Sequence, residues 1–122
     1  MFEMPPPQPP QLVAASDCEV VERPADFDGK MISVSGTFLT DWHHGSLIVG
    51  QPCGKGVWFG GDTALLGEPW TRIERTRRTT ETIVITLTAV GRLHWTPEAT
   101  GMFPATHVLD VEDITSLDIR PR

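Results

Sequence analysis

Four histidines are the side chains of this chain that could most directly do chemistry. His43 and His44 are adjacent in a short polar segment, while His94 and His107 lie far along the chain. Neutral imidazole is a common ligand for zinc or copper, and an imidazole beside a hydroxyl can act as a base in hydrolysis. Adjacent histidines in one turn rarely converge on one ion, however, and no strained nucleophile turn accompanies them. We therefore predict no catalytic residue, no metal site and no cofactor, with a histidine-dependent hydrolase or metal-binding protein as an alternative.

The two cysteines, Cys18 and Cys53, leave two interpretations open. They are too far apart in sequence for zinc or thiol redox motifs, both of which need close pairs. They could form one disulfide, which would place the protein in the periplasm or outside the cell. They could equally be two reduced, buried thiols in a cytoplasmic protein.

One cluster of basic residues stands out in an acidic chain. Arg72, Arg75, Arg77 and Arg78 follow one another closely, with Glu74 among them, in a chain of net charge −6. Nucleic-acid backbones are bound by lysine and arginine, so this charge makes general nucleic-acid binding unfavourable. Clusters of this kind usually form a solvated loop or helix face, and a ligand site is the sharper hypothesis.

The chain begins with a proline-rich stretch and contains no membrane-spanning segment. Residues 1–11 combine a proline run with neither the positive start nor the apolar core of a secretory signal, so we predict a disordered leader there. Residues 12–122 fit one domain by their length. No apolar run approaches the roughly 20 residues that a bilayer requires.

Short-range signals predict one helix and a set of strands. Ser16 and Glu19 have the spacing of a capping box, so a short helix should start there and end before Pro24, with Phe27 as a core anchor. From residue 31, apolar and small polar side chains alternate as in a strand, and Gly36 marks a sharp bend. Further strands are predicted over 46–50, 57–59, 83–95 and from His107 to 119, with a break near Asp113. Residues 62–81 are predicted to form a long connection with room for one helical turn.

This order of strands resembles the OB fold, and it predicts a mainly β protein: a five-stranded OB-like Greek-key barrel with a short N-terminal helix. More narrowly, the chain resembles small bacterial OB-like proteins that have no assigned activity, some of them exported. That likeness rests on residues spread over 16–119, namely the Cys18 helix, Phe27-Asp28-Gly29-Lys30, Val34-Ser35-Gly36, the segment His44 to Leu47, Cys53, Gly91-Arg92 and Leu109-Asp110-Val111.

The OB resemblance implies a ligand face across the second and third strands and their flanking loops. On this chain that face would carry Trp42, His43, His44 and Trp58, and the arginines Arg72, Arg75 and Arg77 could extend it. The alternative is that aromatic side chains fill the barrel and Trp42 covers an open end. Neighbouring strand residues face opposite ways, so at most one of Trp58 and Phe59 should point outward.

The sequence is compatible with three functions. The leading prediction is a non-enzymatic OB-fold binding module for a protein or small ligand. The second is single-stranded nucleic-acid or oligosaccharide binding by stacking on Trp42 and Trp58 beside the arginines. The third is the histidine-dependent hydrolase or metal-binding protein. An exposed strand edge would also favour a homodimer.

Overall fold

The computed structural model describes residues 12–50, 53–98 and 106–122, so the predicted leader over 1–11 lies outside it. Strands dominate this part of the chain, which confirms the predicted mainly β class. Two short helices precede the main strands, and a longer helix, flanked by 3₁₀ turns at Thr63–Leu65 and Thr76–Arg78, separates the fourth strand from the fifth. The elements are β1 Val13–Ala14, α1 Asp17–Glu22, α2 Pro24–Phe27, β2 Met31–Thr40, β3 Ser46–Val49, β4 Gly56–Gly60, α3 Glu68–Arg75, β5 Ile83–Trp95 and β6 His107–Pro121.

The sheet has six strands in the order β1-β2-β3-β4-β6-β5, where five were predicted. The extra strand is β1, two residues that run parallel to β2. Two such residues are too short for period-two alternation to reveal. A further pairing joins β5, the last strand in this order, to β2. The five strands from β2 to β5 are therefore paired in a closed series. Pairing is antiparallel except for β1 with β2 and β4 with β6.

Strand β2 changes partners at the predicted bend. Its first part, up to Thr37, pairs with β5, and its last part, from Thr37 to Thr40, pairs with β3. At the change, Gly36 lies against the backbone of Val49, where a Cβ atom would collide with the carbonyl group. The absence of a side chain therefore lets two strands approach closely at this corner.

Strand β6 continues through Asp113, so the predicted break is replaced by two irregularities. Glu112 and Thr115 are extra residues opposite β5, and the register shifts at each of them. An extra residue bends a strand and increases its local twist without ending the ladder. Both bulges lie within two residues of Asp113, where the sequence had indicated an interruption.

The N-terminal helix forms as its capping box predicts. The Ser16 hydroxyl accepts a hydrogen bond from the Glu19 amide, and the Glu19 carboxylate accepts one from the Ser16 amide. Arg23 ends α1, and Pro24 then starts the short helix α2, whose Phe27 is buried. A proline fits the first turn of a helix because its missing N–H has no intrahelical partner there.

The core lies inside the sheet and continues under the helices. Its fully buried members come from every main strand and from α1 and α3, among them Val20, Ile32, Val34, Ile48, Val57, Ile73, Leu87, Leu93 and Leu109. Helix α3 contributes Ile73, and it is longer than the single helical turn that the sequence indicated within this connection. Its eight residues make it the longest helix in the described ranges, far short of a bilayer crossing.

A disulfide joins Cys18 in α1 to Cys53, which follows β3. The two Cα atoms are 5.7 Å apart, and the bridge spans 35 positions of sequence. Of the two interpretations that the sequence left open, the structure therefore has the bridged one. Near it, Lys55 and Glu22 form an ion pair at 3.8 Å.

Candidate functional site

The structure divides the predicted ligand-binding residues between two surfaces. His44 and Trp58 line one pocket together with Leu39 and Leu47. Trp42 lines other pockets, one of them shared with Arg77. Trp42 and Trp58, the two rings that were predicted to stack on one ligand, therefore line different pockets.

The hairpin between β2 and β3 is organised by Asp41. One of its carboxylate oxygens accepts hydrogen bonds from the amides of His43 at 2.9 Å and His44 at 2.7 Å. The other oxygen lies 2.6 Å from Nδ1 of His44. These donors, the two amides first, hold the pKa of Asp41 well below its ordinary value of 3.8. The carboxylate thus fixes the turn and the orientation of the His44 ring.

Beside this hairpin, an apolar row crosses four strands on the outer face of the sheet. Leu39 of β2 is paired with Leu47 of β3, Leu47 with Trp58 of β4, and Trp58 with Val108 of β6. Residues directly opposite each other point to the same face, so the four side chains are neighbours. Leu39 is 50% exposed, and the other three are partly exposed. We call these four residues the apolar row.

The pocket next to the apolar row has a volume of about 320 Å³. His44 and Asp41 supply its polar side, and Leu39, Leu47 and Trp58 supply its apolar side. The Trp58 ring lies over Gly45, where a Cβ atom would be 2.5 Å from the ring. The hairpin thus holds the tryptophan close to the backbone, and a larger residue at position 45 would push the ring away.

The inner face of the same strands carries buried aromatic side chains. Phe59, the neighbour of Trp58, is buried, as strand alternation predicts when one of the two points outward. It stacks on Trp70 of α3 at 5.7 Å between ring centroids, and Phe38 meets both rings edge-on. Trp42 packs against Trp70 at 6.2 Å, and the Arg77 guanidinium lies 5.6 Å from the centre of the Trp42 ring. Trp42 therefore covers the end of an aromatic cluster.

The second surface consists of Arg72, Arg75, Arg77 and Arg78, which we call the arginine surface. All four side chains are exposed, at the end of α3 and in the 3₁₀ turn that follows it. Within the described ranges, none of the four lies within ion-pair distance of a carboxylate, whereas Arg23 and Arg120 do. Basic side chains at a helix C-terminus also meet the negative end of the helix dipole.

The remaining histidines lie on β5 and β6, and His94 is the cross-strand partner of Val108 in the apolar row. His94 of β5 faces Asp110 at 3.8 Å, and His107 at the start of β6 has its Nδ1 2.8 Å from the Thr106 hydroxyl. Over the described part of the chain, no three histidine, cysteine or acidic side chains come together as metal ligands would.

Burial lowers the pKa of His107 from its ordinary value of 6.5. The folded state therefore favours the neutral ring, and the unfolded chain takes up a proton first as the pH falls below about 6.5. We expect stability to be lost from that pH downward, and the loss to be smaller in a His107→Gln variant. Urea unfolding at pH 7.5 and pH 5.5 measures this, with His43→Gln as the exposed control. An equal pH effect in the wild type and His107→Gln would contradict the assignment.

Sequence reasoning missed Leu39, Leu47 and Val108 of the apolar row and Trp70 of the aromatic cluster. Alternation from the inward Phe38 places Leu39 outward, so part of this signal was available. The pairing of Leu47 with Trp58, and of Trp58 with Val108, depends on long-range register that single strands do not reveal. Comparison of the chain with protein-family models, curated proteins and solved structures found no match.

Proposed function

We propose that this chain is a non-enzymatic binding module of the OB type, and that the apolar row is its ligand face. The fold part of the proposal is supported by the pairing of β2 with β3, β3 with β4, β4 with β6, β6 with β5 and β5 with β2. It is also supported by the parallel pairing of β4 with β6 and by a helix, α3, between β4 and β5. A five-stranded Greek-key barrel closes by such pairings.

One observation carries the functional part: four apolar side chains lie in register across four strands on an outer face. Polar side chains are the usual choice on the solvent side of an antiparallel sheet. A contiguous exposed apolar patch is a mark of an interaction site, whereas scattered single apolar residues are ordinary. The apolar row is contiguous because each member is the cross-strand partner of the next.

The chemistry of the row favours an apolar segment of a protein as its ligand. Trp58 offers a large apolar ring that is held in place by Gly45, so little conformational freedom is lost when a partner covers it. Tryptophan is enriched among the residues that dominate binding energy at protein interfaces, where truncation costs roughly 2 kcal/mol or more. His44 and Asp41 at the rim can add hydrogen bonds that fix the orientation of the partner.

Replacing Trp58 by serine should weaken this binding at least tenfold. Linear peptides would be selected from a random library on the immobilised chain and then titrated in solution. We expect the selected peptides to contain aromatic and aliphatic residues and to bind Trp58→Ser at least tenfold more weakly, because the central ring of the row is gone. Leu65→Ser is the matched control, since Leu65 is 79% exposed and outside the row.

Two results would count against the proposal. Peptides that bind Trp58→Ser as tightly as the wild type would place the ligand face elsewhere. A library that yields no specific peptide would contradict the proposal that the ligand is a segment of a protein. Circular dichroism of both variants would check that the fold is retained, which we expect because both side chains are partly or largely exposed.

The disulfide supports the further proposal that the module works in an oxidising compartment, the periplasm or the cell exterior. Structural disulfides form and persist in such compartments and are rare where thiols are kept reduced. A homodimer remains a prediction: β1 stands at the end of the strand order, where it pairs only with β2 among the described residues, and Leu12 and Val13 are exposed. Such an edge can pair with a second chain.

A further inference from the structure

The arginine surface concentrates positive charge that the rest of the described chain does not neutralise. Four of the ten basic residues of the chain lie within positions 72–78, while the chain as a whole carries a net charge of −6. Arg23, Lys55 and Arg120 each lie within 4.0 Å of a carboxylate. Over the described residues these four arginines do not, and neither do the dispersed Lys30, Arg92 and Arg122, so the feature of this surface is the clustering of its charges. In an acidic protein, unpaired arginines held close together repel one another, and a bound anion would remove that repulsion.

These arginines surround two adjoining pockets. Arg75, Arg77 and Arg78 line one of about 410 Å³, and Arg72 and Arg75 line the other, of about 400 Å³. Arg75 belongs to both. Each volume falls in the range of small-molecule sites, roughly 300–1,000 Å³. The shared side chain makes the two pockets neighbours, so one ligand could contact several guanidinium groups.

The chemistry of the side chains selects the class of ligand. A guanidinium group presents a planar fork of N–H donors that matches the oxygens of a phosphoryl group. A ligand with two or more phosphoryl groups offers such oxygens at several points, as an arrangement around two joined pockets requires. The net charge of −6 disfavours a long polyanion more than a compact one, because a long chain also passes the acidic parts of the surface.

We propose that the arginine surface is a binding site for a small ligand that carries two or more phosphoryl groups. The site adjoins the apolar row at one end, since Arg77 and Leu39 line one pocket, but none of these pockets brings an arginine together with Trp58. Glu74 lines the larger pocket with its arginines and opposes the anion, so it limits affinity. Arg77 also contacts Trp42, which gives the site an optical reporter.

Inorganic triphosphate titrated into the full chain by calorimetry at low salt tests the proposal. We expect saturable binding with one ligand per chain, at least tenfold weaker binding by Arg75→Gln, and tighter binding by Glu74→Gln. Arg23→Gln is the matched control, because Arg23 is exposed but paired and lies at the end of α1. Trp42 emission should change on binding in the wild type, and this change should be lost in Arg77→Gln.

The competing sources of phosphate are distinguished in the same assay. A short oligothymidine and vesicles with anionic headgroups would be titrated beside triphosphate at equal ionic strength. Preference for triphosphate supports the proposal, whereas tighter binding of the oligonucleotide or the vesicles would overturn it as a small-ligand site. Equal affinity of Arg75→Gln and the wild type, or no more binding than inorganic sulfate gives, would also overturn it.

Discussion

Replacing Cys18 or Cys53 by serine should lower the free energy of unfolding by about 3–4 kcal/mol. The bridge closes a stretch of 35 positions, and opening it restores conformational freedom to the unfolded chain. The native state also loses the covalent link between α1 and the segment after β3. For a chain of this length, we expect the melting temperature to fall by about 10–15 °C.

Thermal unfolding of the wild type, both single variants and the double variant measures this effect. The three variants should be destabilised alike, since either substitution removes the same bond. A reducing agent should bring the wild type to the same level and leave the variants unchanged. A melting temperature that is insensitive to both the substitutions and the reductant would show that the bridge does not stabilise the fold.

Gly91→Ala should be similarly severe, with a loss of about 3 kcal/mol or failure to fold. Gly91 is buried in β5 beside one of the β6 bulges. A Cβ atom there would lie 2.7 Å from the carbonyl carbon of Asp110 and 2.9 Å from the Cα of Val111. These are backbone atoms in the middle of a ladder, so they cannot move aside as a flexible side chain could.

Gly56→Ala is the control for this prediction. A Cβ atom at Gly56 would meet only the end of the Leu47 side chain, at 3.1 Å, and that side chain can shift. We expect this variant to stay within about 1 kcal/mol of the wild type, because alanine costs little in a strand. Urea unfolding of both variants gives the comparison. Equal stability of Gly91→Ala and Gly56→Ala would mean that β5 and β6 do not approach as closely as described.

Local chemistry explains which elements could be predicted from the sequence. The capping box of Ser16 and Glu19 is complete within four residues, so it could be recognised without knowledge of the rest of the fold. The alternation in β2 and β5 reflects one buried and one exposed face. Of the positions that it predicts to point inward, Ile32, Val34, Phe38, Ile85, Leu87 and Ala89 are buried, whereas Ile83 at the start of β5 is only partly buried. Gly36 is a corner because β2 changes partners there.

The elements that escaped prediction depend on tertiary context. The sequence indicated at most one helical turn where α3 forms, because Gly67, Pro69 and the arginines are typical of a loop. Pro69 nevertheless fits the first turn, and Ile73 supplies the buried contact. The bulges at Glu112 and Thr115 exist only relative to β5. A strand and a break near Asp113 were therefore indistinguishable from sequence alone.

The candidate site was only partly predictable for the same reason. Residue types singled out Trp42, Trp58 and the arginines, but the distribution of these side chains over two surfaces follows from register and from the position of α3. Trp42 packs against Trp70, which lies 28 positions later in the chain, and the Arg77 guanidinium lies over the Trp42 ring. Trp58 instead joins Leu47 and Val108 across neighbouring strands.

We propose that the chain binds an apolar protein segment on the apolar row and a phosphate-bearing ligand on the arginine surface. The four tryptophan side chains offer one direct test, because each has an indole N–H with its own nuclear magnetic resonance signal. Single Trp→Phe variants would assign the signals. We expect a selected apolar peptide to shift the Trp58 signal and inorganic triphosphate to shift the Trp42 signal, with Trp95 unmoved by either. A peptide that leaves Trp58 unchanged, or that shifts Trp42 as strongly as Trp58, would contradict the claim.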